Sequence, residues 1–300
     1  MRTVLLYCKS LLTGLLLFFS CSCDAADHEN GLVLTGSTAG DPLIKRMLKI
    51  PAQTAVDFIR WNLVLQDDHQ FSLDIQFGES QPNTLGFKNG GVKNSFTGSY
   101  TVAASDHFKV LYRLSSSDLP GTIALVKISE NVFHLLNAQG EFMNGNGGWS
   151  YSLNRHKTVE PNTILIKSSG KEDQSARVIY EGRTPCREIA AEHPEMKVSP
   201  ACFKLKWQLV LNRDPVTFLP TTFMIRKIID GKAQNVSGKW IIQKGTGINQ
   251  GQVIYIIEPD KPAESISFLV ADRHVLFFLN KQQQPYVGNA DFGFALNRKL

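Results

Sequence analysis

Residues Val132 to Arg155 (VFHLLNAQGEFMNGNGGWSYSLNR) and Val275 to Arg298 (VLFFLNKQQQPYVGNADFGFALNR) are two versions of one segment. Set 143 residues apart without a gap, they agree at 9 of 24 positions, including Leu136/Leu279, Asn137/Asn280, Asn146/Asn289 and the closing Leu-Asn-Arg. A second register, 146 apart, sets Gly36 and Thr38 on Gly182 and Thr184, and Trp61, Leu63, Val64 and Leu65 on Trp207, Leu209, Val210 and Leu211. Between these, Gly98-Ser-Tyr100 falls on Gly238-Lys-Trp240 at a spacing of 140. Conserved order with variable spacers is the mark of an internal duplication. The chain therefore folds as two copies of one unit.

Each copy reads as a series of strands. Ile59, Trp61, Leu63 and Leu65 alternate with Arg60, Asn62 and Val64, and Phe71, Leu73, Ile75 and Phe77 continue the pattern after the turn at Gln66–His69. Gly31–Gly36 precedes them as a first strand, and further strands follow near 96–102, 108–114, 122–128, 132–136 and 149–154. The second copy repeats the series near 178–182, 205–211, 222–229, 236–242, 253–258, 265–270, 275–279 and 292–297, with Asp230-Gly231 as a hairpin turn. One short helix interrupts the first copy, with Asp41 as N-cap, Pro42 at its first position and Lys45, Arg46 and Lys49 set away from its apolar side. Ile189-Ala190-Ala191 takes its place in the second copy.

The expected fold is all-β: two tandem, lipocalin-like, antiparallel up-and-down β-barrels of about eight strands each. A two-sheet sandwich is the fallback, because alternation does not specify closure. We place the first barrel at residues 31–156, a polar linker at 157–174 and the second barrel at 175–299. Thr163–Lys167 within the linker reads as a ninth strand or an interface strip. The number of rings, with 18 Phe and 4 Trp, favours at least one filled barrel.

Residues 1–23 form a targeting segment. Arg2 and Lys9 are followed by an apolar run from Leu11 to Phe19, too short to span a bilayer. Phe18-Phe19-Ser20-Cys21 reads as a lipoprotein cleavage box with Cys21 as the lipidated residue. The alternative is ordinary cleavage near Ser22 or Ala25 and a soluble secreted protein. The formal charge of +5 falls to +3 without Arg2 and Lys9, and the remaining basic residues are scattered, which argues against nucleic acid as a partner.

Cys186 and Cys202 are the only cysteines beyond the targeting segment, and they bracket the helix position of the second copy. In an exported chain such a pair reads as a disulfide. The rival reading is a thiolate site for a soft metal with His193 in the same loop, for which CxxC or HxxxH spacing is missing. Gly40 and Val56 occupy the two positions in the first copy, so loss of the crosslink should affect the second barrel alone. His134 aligns with Phe277 and reads as a barrel-wall residue. The repeated Asn137/Asn280 and Leu-Asn-Arg segments read as polar groups that fix turns and strand ends. No nucleophile elbow, Walker sequence or dinucleotide fingerprint is present, and no cofactor is expected.

Taken with the duplication and the cysteine box, Tyr180-Glu-Gly182-Arg-Thr184-Pro185-Cys186 resembles the NlpE-type outer-membrane lipoproteins, specifically their N-terminal β-barrel domain used twice. Phe96-Thr-Gly98-Ser-Tyr100, Val236-Ser-Gly238-Lys-Trp240 and Leu135-Leu136-Asn137-Ala-Gln-Gly140 carry the same resemblance. The family's CxxC is stretched here to Cys186…Cys202 and is lacking in the first copy, so copper handling does not transfer with it. The resemblance implies a bacterial envelope protein held to the outer membrane by an N-terminal lipid, with envelope-stress or surface sensing as its family role. Its partners would be the lipid bilayer and an envelope protein or small apolar ligand. The alternatives are a periplasmic or secreted ligand-binding protein and a hydrolase with an unrecognised pocket. Three or more ionisable groups converging in a cleft would mark the hydrolase.

Overall fold

The computed structural model describes residues 31–168, 173–245, 251–259 and 265–300. Cys21 and the targeting segment lie outside the described residues.

Eight strands make the first barrel: β1 (Leu32–Ala39), β2 (Phe58–Leu65), β3 (Gln70–Gly78), β4 (Val92–Ala103), β5 (Leu111–Ser115), β6 (Ile123–Lys127), β7 (Val132–Leu136) and β8 (Ser152–Arg155). Each pairs antiparallel with the next, and β1 returns to β8 through Leu34↔Arg155 and Thr35↔Asn154 to close the barrel. The second barrel repeats this with β9 (Arg177–Thr184), β10 (Leu205–Arg213), β11 (Pro220–Ile229), β12 (Lys232–Lys244), β13 (Val253–Pro259), β14 (Ile266–Val270), β15 (Val275–Leu279) and β16 (Ala295–Arg298). Closure leaves neither sheet with an exposed edge.

The repeated residues explain how closure is reached. Gly36 faces Trp61 across β1–β2, as Gly182 faces Trp207 across β9–β10. A Cβ on Gly36 would stand 2.6 Å from the Ser152 carbonyl oxygen of β8, and one on Gly182 2.5 Å from that of Ala295. Only glycine lets the first and last strands meet so closely. Both indole N–H groups donate inside the wall, Trp61 Nε1 to Thr38 Oγ1 and Trp207 Nε1 to Thr184 Oγ1, each at 2.9 Å. The other repeated pair sits where a long strand changes neighbours: β4 passes from β3 to β5 at Gly98–Ser99, and β12 from β11 to β13 at Gly238–Lys239. Phe71 and Phe223 pair across from these glycines, and their Cε1 atoms would be 2.8 and 2.9 Å from an added Cβ. The change of neighbours needs a bare backbone, since an added Cβ would also run into the carbonyl oxygen of Ser115 or Glu258, and the cross-strand ring covers the bare stretch.

Both interiors are filled. Trp61, Phe71, Phe133, Tyr151 and the leucines at 34, 63, 73 and 153 pack the first barrel, and Tyr180, Trp207, Phe223, Trp240, Phe268, Phe278 and Phe294 pack the second. Helix α1 (Pro42–Met47) covers the first barrel, with Asp41 Oδ1 accepting from the backbone N–H of Leu43 at 2.9 Å and Ile44 at 3.0 Å. The Tyr151 hydroxyl donates to the other Asp41 oxygen. Lys45 departs from the outward position expected of it: it is buried, and its ammonium donates to the carbonyls of Ala52 and Thr54, which closes the loop after the helix. Helix α2 (Arg187–Glu192) has no side-chain cap. Its fixing element is a disulfide between Cys186 and Cys202, with the Cα atoms 6.0 Å apart. At the equivalent place in the first barrel, a Cβ on Gly40 would lie 2.5 Å from Val56 Cγ1. A van der Waals contact there stands where the second barrel has a covalent bond.

A third apolar cluster belongs to neither interior. Val132 and Leu136 of β7, Val126 of β6, Val275, Phe277 and Leu279 of β15 and Leu269 of β14 join Ile164 and Ile166 of the linker between the barrels. β7 and β15 are thus buried on both faces, which accounts for their lack of polar alternation, His134 being the single polar residue in the two strands. The Thr163–Lys167 stretch is an interface strip that touches the first barrel through bridges at Ser129↔Ile164 and Phe108↔Ile166 and packs Ile164 and Ile166 into the cluster shared with the second.

Candidate functional site

The two barrels meet about a pseudo-two-fold axis. His134 and Phe277, equivalent in the repeat, lie edge to face at 5.6 Å between ring centres. The repeated Asn of each Leu-Asn-Arg segment crosses to the other barrel: Gly288 N–H donates to Asn154 Oδ1 and Gly145 N–H to Asn297 Oδ1, both at 2.8 Å. Asn154 Nδ2 donates to the Asn289 carbonyl at 3.3 Å, and Asn144 Nδ2 to that of Arg298 at 2.8 Å. The two bonds to the Asn154 and Asn297 Oδ1 atoms are reciprocal and join the same surface patch on both halves, as in a two-fold homodimer.

The repeated asparagines therefore have two roles. Asn137 and Asn280 shape turns, each Oδ1 accepting two backbone N–H groups of the following loop, and Asn146 and Asn289 do the same. Asn154 and Asn297 are instead cross-barrel groups, a difference from their reading as strand-end architecture. Partners for them could not be seen in sequence, because both lie more than 130 residues away.

His134 is a fully buried wall residue whose Nδ1 lies 3.2 Å from Ser152 Oγ and whose Nε2 lies 2.9 Å from the Met143 carbonyl oxygen. Burial pushes its pKa down to about 4. His193 Nδ1 lies 3.2 Å from Glu195 Oε1. With Cys186 and Cys202 joined, neither sulfur is a thiolate, and no group of three or more His, Cys, Asp or Glu among the described residues could hold a metal ion.

Two clefts open along the junction. The first, of about 330 Å³, is floored by Phe108 and Phe142 and edged by His107, Glu141, Asp272 and His274. Arg273 Nε donates to His274 Nε2 at 2.9 Å, while the Asp272 carboxylate accepts the backbone N–H groups of His274 and Val275. Burial raises the Asp272 pKa and lowers that of His274. Its pseudo-symmetric counterpart is filled: Asn162 of the linker accepts from Asn131 N–H at 3.1 Å and donates to the Pro285 carbonyl at 2.8 Å. The linker passes between the barrels once, so it fills only one of two equivalent grooves. Several ionisable groups do converge in the open one, but no Ser, Thr or Cys lines it.

The second cleft, of about 280 Å³, straddles the axis. The first barrel contributes Phe58 and Trp149, the second Arg183 and Lys204. Phe87, Phe58 and Trp149 form a continuous stack with ring centres 4.1 and 4.9 Å apart, and the Arg183 guanidinium caps it 5.0 Å from the Trp149 centre. Burial depresses the pKa of Arg183 and, together with Arg183 and Lys206 nearby, that of Lys204. Sequence reasoning passed over these residues because it sought positions where the copies agree. The signal lay where they differ: Ser37 against Arg183 and Phe58 against Lys204 in the 146 register.

No family model matches the chain, and no curated protein matches it. Among solved structures, the crystal structure of the Cpx pathway activator NlpE from Escherichia coli is similar over 74% of this chain and 92% of that one, at 9% identity and a TM-score of 0.22. A likeness that weak carries no argument, and the two-barrel fold stands on its own strand pairing.

Proposed function

We propose that the chain is a non-enzymatic envelope lipoprotein, held to the outer membrane through Cys21, that binds a small ligand or an envelope partner at the junction of its barrels. The observation that supports this is the distribution of space: both interiors are filled by side chains, whereas the two clefts open between the barrels. A lipocalin-like barrel that carried an apolar ligand would keep its interior hollow. Envelope-stress or surface sensing fits a paired body anchored at the membrane.

Anchoring and binding are tested separately. Cys21→Ser should move the protein from the membrane fraction to the soluble one; a variant that is processed and fractionates like the wild type returns the chain to the soluble, secreted reading. A fluorescent fatty acid should show no saturable uptake. Uptake abolished by enlarging an interior residue, as in Leu73→Trp, would relocate binding to a barrel interior.

A second reading rests on the convergence of His107, Glu141, Asp272 and His274, which suits acid–base hydrolysis. Against it, Arg273 occupies His274 Nε2 and no Ser, Thr or Cys lines the cleft. Turnover of aryl esters or glycosides that disappears in His274→Ala would favour the hydrolase.

A further inference from the structure

The cleft on the pseudo-two-fold axis has lost the symmetry of the barrels around it. Position for position, Ser37 of the first copy is Arg183 in the second, Phe58 is Lys204, and Trp149 is Phe292. The cations thus come from the second barrel alone, set against Phe58 and Trp149 of the first barrel with Phe292 of the second beside them, and neither copy alone could build the cleft. The Arg183 guanidinium lies over the Trp149 ring, and neither Arg183 nor Lys204 has a carboxylate partner among the described residues. The acids at the cleft are already engaged. Asp57 Oδ2 accepts from Ser80 N–H and Ser80 Oγ, both at 2.7 Å, and Asp291 is paired with Arg60 at 2.5 Å. Two neighbouring cations in a partly desolvated cleft repel one another until an anion lies between them. The planar guanidinium fork suits a bidentate oxyanion, and the ammonium of Lys204 supplies a second, less directional charge.

We infer that this cleft binds the oxyanion of a small, hydroxylated ligand, a carboxylate or a phosphate ester, between Arg183 and Lys204. The body of the ligand would lie against the polar loop that carries Gln81, Asn83 and Thr84. At about 280 Å³ the cleft matches a sugar acid or sugar phosphate rather than a larger molecule. The same phosphate chemistry could be presented by a lipid headgroup. The inference rests on the junction-binding reading and names its ligand class.

Calorimetric titration of the full chain with glucose 6-phosphate, glucuronate and glucose tests it. The two anions should bind saturably and glucose should not. Affinity should fall at least tenfold in Lys204→Gln and in Arg183→Gln, and Arg183→Lys, which keeps the charge without the fork, should recover only part of it. Thermal melting of each variant shows whether the junction is intact. Should Arg183→Gln melt early, Lys204→Gln, at the rim of the cleft, carries the test. Co-sedimentation of the anchor-free Cys21→Ser chain with phosphatidylglycerol rather than phosphatidylcholine vesicles, lost in Lys204→Gln, would identify a headgroup as the source of the oxyanion. Failure of glucose 6-phosphate, glucuronate and phosphatidylglycerol alike, or binding indifferent to both charge-removing variants, overturns the inference. If Cys21→Ser still releases the protein and the interiors still exclude the fatty acid, only the ligand class falls.

Discussion

His134 shows how one substitution between the copies changes the chemistry of a shared position. Phe277 meets the interface as a ring alone, whereas His134 brings two nitrogens that are placed beside Ser152 Oγ and the Met143 carbonyl. Its pKa is about 4 in the folded chain against an ordinary value of 6.5. A depressed folded pKa means the unfolded chain takes up the proton first, so the stability linked to this residue is complete above pH 6.5 and is lost as pH falls toward 4. The loss should approach about 3 kcal/mol at its limit. Urea unfolding of wild type and His134→Phe across pH 4–7 checks this: the variant should lose that part of the slope. The glycines at the strand bends act through space instead. Gly98→Ala and Gly238→Ala each drive a methyl group into the carbonyl oxygen of Ser115 or Glu258 and against Phe71 or Phe223, and each should cost about 1–3 kcal/mol or more in the same assay.

Among elements, the two short helices solve one problem by different means. α1 is held by Asp41, which caps its first turn and takes the Tyr151 hydroxyl, and α2 is held by the Cys186–Cys202 bond. Replacing both cysteines with serine should remove roughly 2–4 kcal/mol. Sequence alone confined that loss to the second barrel. The shared apolar cluster requires a different outcome, because unfolding the second barrel uncovers Val132, His134 and Leu136 of the first. Both barrels should therefore melt earlier in the double-serine variant, each followed by its own amide exchange.

For the whole molecule, a junction of apolar contacts and reciprocal asparagine bonds makes one cooperative body of two repeats. Calorimetry should give a single unfolding transition for the wild type. Asn154→Ala with Asn297→Ala leaves the half-buried N–H groups of Gly288 and Gly145 without their acceptors, at about 1 kcal/mol each. The double variant should resolve two transitions. One transition at an unchanged temperature would mean that the apolar cluster alone couples the barrels.

The duplication, the strand series, the Asp41-capped helix and the cysteine pair were all legible in the sequence, because each is written in local alternation, in turn residues or in agreement between the copies. The strands Val132–Leu136 and Val275–Leu279, apolar at every position but His134, also held a sign of burial on both faces, although nothing local says what covers them. What covers them is the other copy. Closure of each sheet, the crossing of Asn154 and Asn297 and the meeting of Trp149 with Arg183 join residues far apart in the chain. Local pattern records which face of a strand avoids water. Which surface it avoids water against is decided only when two folded barrels pack together.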